Sequence, residues 1–315
     1  MTLSQSPLRL AMIGMIPGNG HPWSWSAIIN GYEAGAMSLC PYEAIPEYLG
    51  KQDAATMGIP GAEVTHIWTD RPEEAPLVAA AAKISRVVDD PKDVIGEVDA
   101  VVIATDDGAD HVRRAAPFVE AGLPVFVDKP LATHPDELRT FRSWRASGAR
   151  ILSSSGMRYS PEFASLKGIG WRWLSSTTAK TWERYGIHAL EPLMVILGRG
   201  FVSVRSERQA GSDVVYLRHV SGAQATIVAI ESMLGSAGRI QACADDAYRI
   251  AQNADTYTAF RGQLVAAIDW FRSGSDPYPF AETEELMAVL IAGIRSRDRG
   301  GELIQVETIL QETAP

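Results

Sequence analysis

Short apolar runs alternate with helix-length segments over the first half of the chain, and that alternation limits the fold more than any other feature. Leu8–Gly14 reads as a buried strand that stops at glycine. Ser24–Tyr32 reads as a helix, and residues 37–63 as irregular chain around Pro41, Pro46, Gly50 and the turn cluster Gly58-Ile59-Pro60-Gly61. Val64–Thr69 predicts a strand ending at Asp70, Pro72–Ala82 a helix and Arg86–Val88 a short strand, with Pro91 at the start of a helical turn. Asp99–Thr105 is continuously apolar, as a central parallel strand requires. Asp110–Ala121 predicts a helix stopped by Gly122, Pro124–Val127 a strand, Pro135–Ser147 a helix and Arg150–Ser154 a further strand. Such alternation implies a parallel sheet covered on both faces, with ligands beyond the carboxyl ends of its strands. Those ends are the Gly14 loop, Asp70, the Thr105-Asp106-Asp107-Gly108 loop and Asp128-Lys129-Pro130.

The pattern changes after Tyr159. Val202–Arg208, Asp213–Val220, Ala223–Glu231 and Arg239–Ala244 are strand-like and separated by turn signals, without a long helix between them. Tyr257–Phe271 and Thr283–Arg295 then read as amphipathic helices. The expected architecture is an α/β Rossmann-type N-terminal domain, residues 1–130, followed by an α+β C-terminal domain, residues 131–315, with an open, mainly antiparallel sheet. An exposed apolar sheet face needs a cover, so a homodimer or homotetramer is expected.

Composition narrows the partners. A chain of 315 residues is long enough for two cores. The formal net charge is -9 and no Lys/Arg stripe is visible, which argues against nucleic acid and anionic membrane and leaves sugars and polyols open. No run approaches the roughly 18 apolar residues of a membrane span, and Met1–Arg9 does not read as a signal peptide. Cys40 and Cys243 form neither a disulfide framework nor a zinc motif. A cytoplasmic protein with reduced thiols is expected. The six histidines show no close ligand spacing, so no metal site is expected.

Four stretches carry a resemblance. Val101–His111 looks like a strand-loop-helix ending in histidine, and Ala121–Pro130 looks like a Glu-Lys-Pro segment with Asp128 in place of Glu. Arg158-Tyr159-Ser160-Pro161 looks like an Arg-Tyr-x-Pro domain start, and Gly186–Glu191 like a Gly-x-His-x-x-Asp helix start with Glu for Asp. Together, and in this order, they make nearly the whole chain resemble the Gfo/Idh/MocA family of NAD(P)-dependent sugar and polyol oxidoreductases. The resemblance implies that Lys129 orients the reacting hydroxyl and that His188 exchanges its proton as hydride moves to or from nicotinamide. The chemistry is consistent: an imidazole titrates near neutrality, and an ammonium stabilises alkoxide character as it develops. Plainer readings stand beside these. Lys129 also reads as a solvated charge, His188 as a cap or structural partner, and Arg158 and Tyr159 as a hinge rather than substrate contacts. Glu191 reads either as a partner orienting His188 or as a solvated helix charge.

The cofactor loop departs from a dinucleotide fingerprint. Counted from Gly14 the G-x-G-x-x-G spacing fails, and counted from Gly18 it ends at Trp23. The loop still has Gly14, Gly18, Asn19, Gly20 and His21 to present to an anion at the following helix start. Asp70 is the expected partner of the adenosine ribose, although about 50 residues past the loop rather than about 20. Arg71 beside it suits a 2′-phosphate, so the cofactor is NAD or NADP, with NAD favoured. Thr105, Asp106, His111, Asp128 and Lys129 complete the expected cofactor-binding set. Trp23 and Trp25 read as packing for the first helix, with Trp25 also a candidate to stack on a sugar ring; Tyr185 is a candidate substrate contact and substitute acid or base. Relatives often carry aspartate where this chain has Arg184, a cation that would lower the basicity of His188. The stretch between Tyr159 and His188 is short, which predicts a smaller or more open pocket. Three functions compete: a sugar or polyol dehydrogenase, a redox-neutral lyase or epimerase with bound NAD, and a non-catalytic nucleotide- or sugar-binding sensor.

Overall fold

The computed structural model describes residues 6–233 and 238–315. Its first half is a parallel sheet of six strands: β1 (Leu8–Ile13), β2 (Ala62–Trp68), β3 (Arg86–Val87), β4 (Ala100–Ile103), β5 (Val125–Val127) and β6 (Ile151–Leu152). The order is β3-β2-β1-β4-β5-β6, and every neighbouring pair is parallel. The order reverses between β1 and β4, which opens a crevice at their carboxyl ends. Side chains of β1 alternate between two cores. Ala11 and Ile13 join Phe118 of α5 (His111–Glu120) and Phe141 of α6 (Pro135–Ala146). Leu10 and Met12 join Trp25 and Ile28 of α1 (His21–Asn30).

The first helix begins three residues earlier than its periodicity suggested, because Pro22 is compatible with a first turn that needs no N–H. Residues 37–63, read as irregular, contain helical turns. Glu33 caps α2 (Ala34–Met37) by accepting from the Gly35 and Ala36 N–H groups. Ile45 and Leu49, four apart, bury one side of α3 (Ala44–Gly50), and Pro46 falls in its first turn. The fourth helix, α4, covers Ala75–Ala81.

The second half carries α7 (Pro161–Ala164), β7 (Trp173–Ala179), α8 (Trp182–Leu197), β8 (Phe201–Gln209), β9 (Ser212–His219), β10 (Gln224–Ile230), β11 (Arg239–Cys243) and β12 (Tyr248–Gln252). It ends with α9 (Thr256–Ser273), α10 (Phe280–Asp298), β13 (Ile304–Gln305) and α11 (Val306–Glu312). The seven-stranded sheet runs β12-β11-β7-β10-β9-β8-β13 and is antiparallel except where β7 lies parallel to β10. β7 was not legible in the sequence: Trp-Leu-Ser-Ser-Thr-Thr-Ala carries few apolar residues, although Leu174 and Ala179 are buried. Trp173, Tyr216, Tyr248 and Ile250 stay exposed on this sheet.

Helix α8 starts at Trp182, one turn before Gly186. The Trp182 indole is fully buried and donates to the Leu290 carbonyl of α10 at 2.9 Å. A Cβ on Gly186 would lie 2.5 Å from that ring, and one on Gly293 of α10 would lie 2.5 Å from its nitrogen. The two glycines leave room for the tryptophan, which locks α8 to α10 and sets the helix that carries Arg184, Tyr185, His188 and Glu191.

Candidate active site

Four chain segments meet at the crevice. The carboxyl end of β4 supplies Asp106, that of β5 supplies Asp128 and Lys129, the chain after β6 supplies Ser155, and the first two turns of α8 supply Arg184, Tyr185 and His188. Residues 185 and 188 share a helix face at i, i+3, and their rings meet edge-on with centroids 4.7 Å apart.

Lys129 is 2% exposed. Its Nζ has no hydrogen-bond partner among the described residues. It lies 3.7 Å from Asp106 Oδ2 and 4.7 Å from the centre of the Tyr185 ring. Burial works against its charge, but Asp128 and then Asp106 outweigh burial and raise its pKa. The solvated reading of this residue is excluded. A buried ammonium with unused N–H groups costs free energy unless a ligand uses them.

Asp106 is 1% exposed and is the common anion of the site. Arg184 Nη2 bonds its Oδ1, and the Lys129 and Lys180 ammonium groups lie 3.7 and 3.9 Å from its Oδ2. Burial disfavours its charge, but Lys129 and then Arg184 hold the carboxyl far below the usual range. Arg184 is therefore tied to Asp106. Lys180, which sequence reasoning missed, also donates to the Gly18 carbonyl at 3.2 Å and stands 4.2 Å from the Tyr185 ring centre. Its one visible signal was its place just before the helix of Tyr185.

His188 is 9% exposed, with Nδ1 and the Ser155 hydroxyl 2.7 Å apart. Burial, then Lys129, then His21 push its pKa well below the ordinary imidazole value. The lowering expected of Arg184 is thus supplied by Lys129, while Asp106 occupies Arg184. Glu191 does not touch His188. It accepts from the Ser155 N–H at 3.0 Å and from Arg158 Nε at 2.5 Å, so it holds the residue that holds the histidine. Burial raises the Glu191 pKa, with Arg158 acting against that.

Several expected contacts lie elsewhere. Arg158 is buried between Glu191 and Glu282 and stacks at 3.8 Å on Tyr278, while its Nη2 has no hydrogen-bond partner among the described residues. Tyr159 is half-buried beside Ser154, and burial pushes its hydroxyl up to about 12. Trp25 is fully buried with one face covered by the His21 ring at 4.3 Å, so no sugar reaches that face. Thr105 and His111 are also fully buried, with His111 Nε2 at 2.8 Å from the Thr105 carbonyl.

The glycine loop is rebuilt. Gly14 (φ +91°) packs so close to Thr105 that a Cβ would meet its methyl at 2.7 Å. A Cβ on Gly20 would strike the Tyr42 ring at 2.6 Å, so this glycine makes room for Tyr42. Gly18 (φ +82°) has open space where its Cβ would be. Asn19 is 4% exposed and staples the loop, donating to the Ala104 carbonyl at 2.9 Å and accepting the His21 N–H at 2.8 Å. With that N–H taken and Pro22 lacking one, the start of α1 offers an anion fewer donors than an ordinary fingerprint. His21 Nδ1 lies 2.7 Å from Asp128 Oδ2.

The adenosine end of a dinucleotide fits better. Asp70 follows β2, accepting from the Met15 N–H at 3.0 Å and from Arg114 at 2.6 Å. Arg71 is exposed, 3.5 Å from Glu74. A cavity of about 240 Å³ opens beside these strand ends, lined by Ile13, Trp68, Pro91, Arg113, Arg114 and Phe118 among others. Among the described residues no three His, Cys, Asp or Glu side chains gather as a metal site, and no helix is long and apolar enough to cross a membrane.

Residues 42–151 match the sequence profile of an oxidoreductase family with an NAD-binding Rossmann fold, Gfo/Idh/MocA. The match begins after the rebuilt loop. An inositol 2-dehydrogenase of Rhodococcus erythropolis is 38% identical over 119 residues, which are 36% of this chain and 34% of that protein. The aligned stretch thus spans about a third of that relative's length. Solved structures match over nearly the full length. A myo-inositol dehydrogenase from Corynebacterium glutamicum superposes with TM-score 0.71 at 16% identity, covering 95% of this chain and 98% of its own. A myo-inositol dehydrogenase from Lactobacillus casei in complex with NAD(H) and myo-inositol gives TM-score 0.71 at 14% identity, covering 95% and 96%. At these identities the structural likeness concerns the fold.

Proposed function

We propose that the chain is a member of the Gfo/Idh/MocA family of NAD-binding oxidoreductases, whose profile its residues 42–151 match, and that it is an NAD(P)-dependent dehydrogenase. Its reaction moves hydride between nicotinamide and a carbinol carbon of a sugar, an inositol or a related polyol. The observation that carries this reading is the Lys129 ammonium: buried, cationic and without a hydrogen-bond partner at the carboxyl end of β5.

The dinucleotide, when bound, supplies the hydride acceptor or donor. The chain supplies the rest. Asp70 and the cavity beside Trp68 hold the adenosine end, and the Gly14–Gly20 loop borders the pyrophosphate. Asp70 favours NAD, because a 2′-phosphate would meet its carboxylate. Lys129 donates to the reacting oxygen and stabilises alkoxide character in a site shielded from water. Asp106 keeps Lys129 charged and holds Arg184 and Lys180 at the pocket wall, where they contact substrate hydroxyls together with Tyr185. His188 lies beside Tyr185 as a neutral imidazole that hydrogen-bonds a substrate hydroxyl and helps Tyr185 orient it.

In this reading residues 1–130 bind the dinucleotide, and residues 131–315 bind the polyol and pair subunits. The exposed Trp173, Tyr216, Tyr248 and Ile250 mark the sheet face of a homodimer or homotetramer. The protein works in the cytoplasm on a small molecule.

The test is a panel of inositols, aldoses, sugar acids and linear polyols with NAD⁺ and NADP⁺, read by absorbance of the reduced nicotinamide. Turnover of one class that Lys129→Met abolishes supports the reading; a wild-type protein inert on the whole panel in both directions opposes it. One observation favours a second reading, a sensor without hydride transfer: the donors used up at the start of α1. A protein that binds polyol but neither dinucleotide would establish that alternative.

A further inference from the structure

His21 and Asp128 form a pair that the roles given to Lys129 and His188 leave unused. Asp128 is fully buried at the end of β5. Its Oδ1 accepts the Lys129 N–H at 2.7 Å, and its Oδ2 lies 2.7 Å from His21 Nδ1. The imidazole is fixed on every other side. Its own N–H is bonded to Asn19, its face stacks on Trp25 at an interplanar angle of 13°, and Phe260 of α9 meets its edge at 5.4 Å. Among the described residues no group bonds its Nε2, and its side chain is 16% exposed. A carboxylate on Nδ1–H fixes the tautomer that leaves Nε2 free to accept a proton, and it stabilises the imidazolium that results. A histidine needed only as a pin has no use for a fixed tautomer and an open second nitrogen.

His21 belongs to the same electrostatic cluster as the site. It stands close enough that a charge on its ring would act on both Asp106 and His188. The charged or titratable groups around it are Asp128, Asp106, His188 and Lys129, while Trp25 and Phe260 are neutral. His188 is poorly placed to hold a proton: it is buried, and Lys129 stands against its charge.

We propose that His21, oriented by Asp128, is a catalytic residue that takes the substrate hydroxyl proton and passes it to solvent. This rests on the dehydrogenase reading above. The carbinol C–H bond breaks with its electron pair leaving as hydride to a nicotinamide dinucleotide oxidant. The O–H proton goes to His21 Nε2, and the carbon–oxygen double bond forms. In the reverse direction His21 returns the proton.

The test has two arms. The first uses the apo protein and long-range ¹H–¹⁵N correlations of the histidine side chains, assigned with His21→Asn. The expected result is a single Nδ1–H tautomer for His21, which shifts toward Nε2–H in Asp128→Asn, where the amide can donate to Nδ1. An Nε2–H tautomer or rapid tautomer averaging in the wild type overturns the proposal, whatever the protein turns over. The second arm is kinetic. His21→Asn keeps a side-chain N–H for Asp128 and lacks Nε2. It is expected to keep the wild-type melting temperature and KM within a few-fold, to lose about 10²–10⁴ in kcat, and to lose the acidic limb of the kcat pH profile. A wild-type kcat and an intact acidic limb in His21→Asn overturn the proposal. A wild type without hydride transfer refutes the dehydrogenase reading instead, and the tautomer measurement still decides whether the pair exists.

Discussion

Replacing Lys129 by methionine separates a functional cation from a structural one. In this structure the ammonium stands 3.7 Å from Asp106. At an effective dielectric of about 20 the attraction is worth about 4 kcal/mol. Holding a buried ammonium out of water costs several kcal/mol, which offsets most of this attraction and of the Asp128 attraction beside it. Methionine matches the length of the stem, needs no hydration, and lies against the Tyr185 ring. Asp106 keeps Arg184 and Lys180 as partners, and Asp128 keeps the residue-129 N–H, Asn19 and His21. Urea denaturation is therefore expected to give a stability within about 1 kcal/mol of wild type, or higher. Turnover is expected to fall by about 10²–10³, the usual cost of losing one donor to a developing oxyanion. Kinetics on the best substrate of the panel, run beside the denaturation curve, give both numbers. A stability loss above about 3 kcal/mol, the range for a broken buried ion pair, would make Lys129 a structural residue. Unchanged turnover would refute its role outright.

Three further outcomes follow from the packing and the charges. His188 has a pKa lowered by burial and Lys129, so the unfolded chain binds a proton at this position that the folded chain does not. Stability is thus complete above the ordinary imidazole range and declines as pH falls through it toward the depressed folded value; His188→Gln should flatten that decline between about pH 7 and pH 5, and an identical pH–stability curve would contradict the assignment. Gly186→Ala puts a Cβ 2.5 Å from the Trp182 ring and should cost about 1–3 kcal/mol while lowering turnover through the shifted α8; a variant as stable and active as wild type would show that the helix is not held this way. Glu191→Leu leaves buried Arg158 with Glu282 alone; chemical denaturation should show a loss of about 3 kcal/mol, and a loss below 1 kcal/mol would contradict the role of the ion-pair network.

The parallel sheet was legible because its strands are short, continuous and apolar, and because polar residues gather at their ends. Lys129 was legible for the same reason: Val125–Val127 points its carboxyl end at Asp128 and Lys129. Tertiary partners were not. Arg158 and Tyr159 sit at a domain start, where a hinge and a substrate contact look alike in sequence; only the fold shows that Arg158 pairs with Glu191 and Glu282 and stacks on Tyr278. Arg184 reads as a lost acid until Asp106, 78 residues away, is seen to bind it. The glycine loop departs from the fingerprint for a physical reason that only the fold shows. Gly20 serves Tyr42, and Asn19 fills the helix start with its own side chain, so glycine spacing no longer reports on a phosphate. Ser155 and Lys180 carry no motif, and only the fold brings them to the site.

The central claim is that this crevice receives a nicotinamide dinucleotide next to a buried lysine. Calorimetric titration of the purified protein with NAD⁺ and then NADP⁺ tests it most directly. Saturable binding at one site per chain is expected, tighter for NAD⁺ than for NADP⁺, with the two competing. Absence of binding for both, in a protein shown to be folded, would contradict it.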